Sequence, residues 1–279
     1  MSSMQWLIRV FATNKLFLFG GLVIMALIVM ALLAPFFAPY DPGEIFIENK
    51  LKAPSRFHPC GTDQLGRDVL SRLIYGTRIS LSVGFVSVSI AVIIGIMVGG
   101  MAGYYGGLID NILMRFVDIM LCFPSFFIIL TVVALLTPNI FVIMAIIGLF
   151  SWMGVARLVR AEFLSLKERD FVLAARSLGA GDRRIILRHI LPNALTPVLV
   201  SASLGIAGAI LLEAGLSFLG LGVQPPASSW GNILTEGRIY VFDAWWLTLF
   251  PGLAILITVL SFNLLAESLR DYLDPRRRK

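Results

Sequence analysis

Six runs of about 20 apolar residues, at 16–37, 79–103, 116–136, 140–159, 195–221 and 245–265, constrain this chain more than any other feature. A hydrocarbon layer roughly 30 Å thick takes about 20 helical residues to cross. Each run therefore predicts a membrane-spanning helix, and the chain an all-α membrane protein with six of them. Only 14% of its residues are charged and 58% are hydrophobic, whereas a soluble domain is about a quarter charged. The first run is longer than the roughly 7 to 15 apolar residues of a signal peptide, and Pro39 follows Ala38 where cleavage would be imagined, so it reads as a retained span.

Six spans place both termini and the loops after spans two and four on one side. That side carries 16 of the 23 Lys and Arg residues, eight of them between Arg157 and Arg188. The positive-inside bias makes it the cytoplasmic side. The net charge of +6 thus has an orientational cause and needs no nucleic-acid partner. Four units follow: a tail and first span at 1–40, an outer loop at 41–78, a core of five spans at 79–272 with a cytoplasmic loop at 162–193, and a basic tail at 273–279. The outer loop is nearly neutral. Its segment "GTDQLGRD", 61–68, reads either as a solvated loop or as a contact for an external protein or sister subunit.

Small residues recur at four-residue spacing in span two, at Ala91, Gly95, Gly99 and Gly103. Such a stripe permits close helix approach, within the chain or between subunits. Pro124 is expected to kink span three, and Arg115 and Asp118 to pair at its cytoplasmic edge. Glu213 is the carboxylate well inside an apolar run. It reads as a translocation-pathway candidate that meets a cationic group, or as a buried acid hydrogen-bonded to a neighbouring helix. Cys60 and Cys122 have no metal or redox spacing.

The stretch "AARSLGAGDRRIILRHILPN", 174–193, interrupts the apolar pattern. Phe171, Ala174, Ala175 and Leu178 share a helical face. Gly179 stands where a C-cap takes positive φ, Asp182 is the expected N-cap of a second helix, and Pro192 is expected to end it. Arginines at 183, 184 and 188 flank an Ile186 and Ile190 stripe. The unit reads as a docking surface, or as a solvated loop bearing positive-inside charge.

This stretch resembles the EAA loop of permease subunits of bacterial ABC importers, matched at Ala174, Ala175, Gly179, Leu191 and Pro192, with Leu173 in place of the leading Glu. "HPCGTDQLGRDVLSRLIYGTRISLSVG" at 58–84 and "LLEAGLSFLGLGVQPPASSWG" at 211–231 resemble the C-type permease of dipeptide, oligopeptide and nickel importers. The likeness runs from about residue 15 to 275. It implies a type I importer permease fold in the bacterial inner membrane, with both termini cytoplasmic and a coupling helix that docks on an ATPase. Residues 171, 174, 175, 178, 179, 182–184, 191 and 192 would form that contact. The implied partners are a second, homologous permease in a heterodimer, two cytoplasmic ATPases that bind Mg-ATP, and an extracytoplasmic substrate-binding protein. The implied cargo is a di- or oligopeptide, with nickel or another small solute as the alternative.

No catalytic residue, metal site or cofactor is expected on the chain itself. It has no GxxxxGK[ST] phosphate loop. "GLSF" at 215–218 and "GAGD" at 179–182 echo intramembrane serine and aspartyl proteases. A nucleophilic serine needs a base within reach, however, and His58 and His189 fall in loops on opposite sides. Asp182 precedes two arginines outside the apolar runs. A DNA-reading role for a helix-turn-helix tethered at both ends leaves little room for a duplex. A passive channel would not need a docking loop.

Overall fold

The computed structural model describes residues 15–136, 139–224 and 226–273. The expected N-terminal tail and the basic residues at 274–279 lie outside the described residues. Among the described residues every regular element is helical: α1 (Lys15–Leu32), α2 (Val69–Tyr105), α3 (Gly107–Leu121), α4 (Ser125–Leu135), α5 (Ile140–Leu149), α6 (Trp152–Leu166), α7 (Asp170–Ser177), α8 (Leu191–Phe218), α9 (Trp230–Gly237) and α10 (Trp246–Leu273), with short helical turns between them.

Four stretches are long and apolar enough to cross a membrane: Val69–Tyr105, Ile140–Leu166, Asp182–Phe218 and Trp246–Asp271. The α3–α4 pair makes a fifth if counted as one broken span, and the apolar Leu16–Leu32 of α1 is shorter. Three expectations need correcting. Helix α2 starts ten residues before the apolar run does. Asp68 caps it by accepting from the Ser71 amide, and its first turns carry the buried polar side chains of Ser71, Arg72 and Thr77, which hydropathy alone reads as loop.

The third run is not one kinked helix. It breaks at 122–124, and α3 and α4 meet at 79°. Pro124 sits at the N-cap of α4, where its ring and missing N–H prevent continuation of the preceding helix. Pro192, by contrast, ends nothing. Residues 182–218 form one continuous helical stretch, because a π-helical segment at Ile185–Ile190 widens the turn just before the proline. Pro192 then falls in the first turn of α8, where a missing donor is tolerated.

The small-residue stripe is an internal contact. A Cβ added at Gly95 would lie 2.6 Å from the Val155 side chain, at Gly99 2.2 Å from the Ala156 carbonyl, and at Gly103 2.8 Å from the Arg160 carbonyl. Helices α2 and α6 therefore touch backbone to backbone along three turns. The main apolar core lies above this contact, where Leu81 and Val88 of α2, Ile143 and Ile147 of α5, and Ile206 and Ile210 of α8 pack together. Because the nearest atom to Gly99 is a carbonyl that cannot rotate away, Gly99→Ala should destabilise the protein by about 1–3 kcal/mol. Gly21→Ala, with nothing within 4 Å, should be silent. Thermal unfolding of the two variants in detergent checks this pair.

Candidate functional site

At the end of the bundle where α2 stops and α8 begins, α7 forms a compact unit with the stretch that follows it. Its C-terminus is a complete Schellman turn. The Gly179 amide donates to the Arg176 carbonyl at 3.0 Å and the Ala180 amide to the Ala175 carbonyl at 3.1 Å, with Gly179 at φ +78°. Glycine meets that φ without steric cost. Val172 turns inward and is fully buried, beside Ile185, Ile190, Phe163 and Ala194. With Val172 anchored, the opposite face of α7 points away from the chain. Phe171 is 44% exposed and Leu178 89%, Ala174 is exposed, and Ala175 is half-buried. The face expected from the sequence is thus present and uncovered.

Asp182 does not cap the next turn. Gly181 holds the N-cap position, and the Asp182 carboxylate instead accepts from the Tyr104 hydroxyl at 2.5 Å, which ties the end of α2 to the unit. Arg183 and Arg184 are exposed, Leu191 is half-buried and Pro192 exposed. Leu173 is 43% exposed and presents no charge. His189 is half-buried. Among the described residues no group of three or more His, Cys, Asp or Glu is placed to hold a metal ion.

Beside this unit α3 is bound to α6 by two ion pairs. Arg160 grips Asp110, with Nη2 2.6 Å from Oδ2, and Arg157 pairs with Asp118. The expected Arg115–Asp118 pair is therefore replaced by one across helices. Both acids lie on α3, before the 79° break, and both arginines on α6.

At the other end of the bundle the outer-loop charges turn inward. Asp63 is fully buried. It accepts from Arg67 Nε at 2.6 Å and from Arg72 Nη1 at 2.5 Å, and both arginines continue to Glu236 of α9, at 2.9 and 2.6 Å. His58 Nδ1 lies 3.0 Å from Asp68 Oδ1, and the Trp246 indole donates to the Thr62 carbonyl. The charges of "GTDQLGRD" build a buried knot and are not offered to a partner. Burial, reinforced by Asp68 nearby, pushes the Cys60 thiol up to about 11.

Glu213 lies in α8 toward this end and is fully buried. Its Oε1 accepts from Ser217 Oγ at 2.7 Å and from Ser229 Oγ at 2.8 Å, while Oε2 has no partner. A cavity of about 300 Å³ opens between α2, α5, α6 and α8, and Ser87, Ser151, Ser201 and Leu212 are among its lining residues. Glu213 is not among them, and its bond from Ser229 makes it a buried acid hydrogen-bonded to a neighbouring helix. Sequence reasoning missed Ser229 and Glu236. A Ser-x-x-Asn capping box at Ser229 and Asn232 was a local signal for the first. Glu236 binds Arg72 across 164 positions, and no local pattern announces such a bond.

Residues 91–279 match the family model for the binding-protein-dependent transport system inner membrane component, and residues 2–54 match the N-terminal TM domain of oligopeptide transport permease C. The di/tripeptide transport system permease protein DppC of Pseudomonas aeruginosa is 46% identical over 95% of this chain and 90% of its own length. The dipeptide transport system permease protein DppC of Alkalihalophilus pseudofirmus is 43% identical over 94% and 86%. The glutathione transport system permease protein GsiD of Pectobacterium atrosepticum is 43% identical over 92% and 86%. A chain of the MetNI methionine ABC transporter, in an inward-facing conformation, superposes with TM-score 0.57 over 74% of this chain and 98% of its own, at 20% identity.

Arg72→Leu leaves the buried Asp63 and the half-buried Glu236 with Arg67 as their one remaining arginine partner and should cost about 3–5 kcal/mol, measured as lost thermal stability. In a Cys122→Ser background, Cys60 should react with maleimide at pH 7.5 more than about a hundredfold slower than an ordinary thiol of pKa near 8.5. Its rate should climb as pH approaches 11, because only the thiolate attacks.

Proposed function

Because the chain belongs to the family of binding-protein-dependent transport system inner membrane components, we propose that it is a permease subunit forming half of the pathway of an ATP-driven peptide importer. It is a transport component and not an enzyme. The relatives named above are dipeptide, di/tripeptide and glutathione permeases, which supports di- and oligopeptides as the cargo. Six crossings with both termini cytoplasmic agree with the asymmetry of Lys and Arg. In this arrangement α1 and the broken α3–α4 pair each count as one crossing.

The observation that carries the reading is the uncovered face of α7. Phe171, Ala174 and Leu178 stand exposed on a helix whose buried Val172 and Schellman turn fix its direction. An apolar face held outward in this way needs a partner. Here it serves as the coupling helix, seated in a groove of one of two cytoplasmic ATPases, with Ala175, Gly179, Asp182, Arg183, Arg184, Leu191 and Pro192 shaping or flanking the contact. Mg-ATP binds the ATPases. A homologous permease completes the pathway as a heterodimer, and an external binding protein delivers the peptide. ATP drives alternating access because the nucleotide-bound ATPase pair favours one of the two permease states. Leu173 makes the docking edge apolar where the family's EAA motif has Glu.

Nothing lies within 4 Å of a Cβ added at Gly179, so a substitution there strains only the turn. Gly179→Val should leave the chain in the membrane while reducing ATP-dependent peptide uptake at least about tenfold, the equivalent of 1.4 kcal/mol or more. Uptake that persisted after deletion of residues 170–182 would sink the importer reading, as would purification of the functional complex without an ATPase.

A further inference from the structure

Helix α9 is fastened on two sides. Toward α8, the Ser229 hydroxyl donates to Glu213 Oε1 at 2.8 Å. The missing Cβ of Gly231 lets the α9 backbone rest on α8, since an added Cβ would lie 2.8 Å from Ala214 Cα and from Ser217 Cβ. Toward α2, the Trp230 amide donates to Ser80 Oγ, the Trp230 indole to the Leu73 carbonyl at 3.2 Å, and Glu236 accepts from both terminal nitrogens of Arg72. So α9 is a clasp between the outer part of α8 and the outer start of α2. The helical stretch that ends in α8 begins at Asp182, beside the Schellman turn. At about 1.5 Å per residue, its 37 residues run from the docking unit to the clasp.

Resting on the importer reading above, we infer that Glu213 is a positioning residue that locks α8 to α9, so that events at the outer knot are reported along α8 to the docking unit. Stability alone gives little reason for an acid here. A buried carboxyl with one oxygen doubly bonded and the other unpartnered is poorer than a packed apolar side chain, and exchanging buried polar groups for apolar ones of similar volume is often neutral or stabilising. What the carboxyl supplies, and leucine cannot, is a directional bond to Ser229. The neighbouring bond from Ser217, four residues on in the same helix, holds the carboxyl in the direction of α9.

The test uses the complete importer in lipid vesicles and reads three quantities: basal ATP hydrolysis, its stimulation by peptide-loaded binding protein, and peptides imported per ATP. Glu213→Leu should keep basal hydrolysis within about twofold, yet lose at least about fivefold in stimulation and in peptides per ATP. Ser229→Ala, which leaves Glu213 bonded to Ser217, should behave the same way and carries the test if Glu213→Leu does not assemble. Glu213→Gln and Ser229→Thr keep the acceptor and the donor and should retain coupling. Wild-type stimulation and stoichiometry in both disruptive variants would overturn the inference. So would a proportional fall of all three quantities in Ser229→Ala, which marks a structural role. A wild-type complex without ATP-dependent uptake would overturn the importer reading, and this inference with it.

Discussion

The backbone of α2 resting on that of α6 is the contact on which the rest of the structure hangs. In hydrocarbon there is no water to expel, so helices associate through close packing and hydrogen bonds instead of through the hydrophobic effect. Gly95, Gly99 and Gly103 bring two backbones together where any side chain would hold them apart. With that axis fixed, α5 and α8 pack on the upper part of α2 through Ile143, Ile147 and Ile206, and the α3–α6 ion pairs complete the lower part. The stripe, which by spacing alone fits a contact within the chain or between subunits, is the chain's own spine.

Polar chemistry is concentrated at the two ends of this spine and is handled differently at each. At the knot end, Asp63, Arg72 and Glu236 satisfy one another with almost no exposure of Arg72 and none of Asp63. Burial of such a cluster is tolerable because each charge has a short, charge-assisted partner, and little salt reaches it. At the docking end, Arg183 and Arg184 remain in solvent and apolar side chains stand uncovered. One end is closed on itself while the other is held open, an asymmetry that fits the proposed docking of α7 on an ATPase.

Much of this was legible from residue order. Apolar runs located the helical stretches because helix length in a bilayer is set by its thickness. Gly179 announced its turn because few residues other than glycine accept φ +78°. The failures have a common cause. Hydropathy reports where a residue would be comfortable alone, not which distant group satisfies it. The polar start of α2 looked like loop because Arg72 finds Glu236 only in the fold. Asp118 is expected to pair with Arg115, its neighbour on the helix, when its partner in the fold is Arg157 of α6. Asp182 has the composition of a cap, yet Tyr104 claims its carboxylate. Pro192 looked terminal because local rules do not foresee a widened turn before it.

That widened turn bears on how chains of this kind vary. A π segment holds one more residue per turn than an α-helix. The surplus residue is taken up within that turn, so loss of a single residue between Ile185 and Ile190 would restore regular α geometry and leave everything before it in nearly the same phase relative to α8. The outward face of α7 would keep its bearing, as would Ile206 and Ile210 against the core. Heading and hull are therefore buffered from one another in this protein: the widened turn can lose a residue without re-aiming α7, whereas the same loss in the regular helix after it would turn the unit by about 100°.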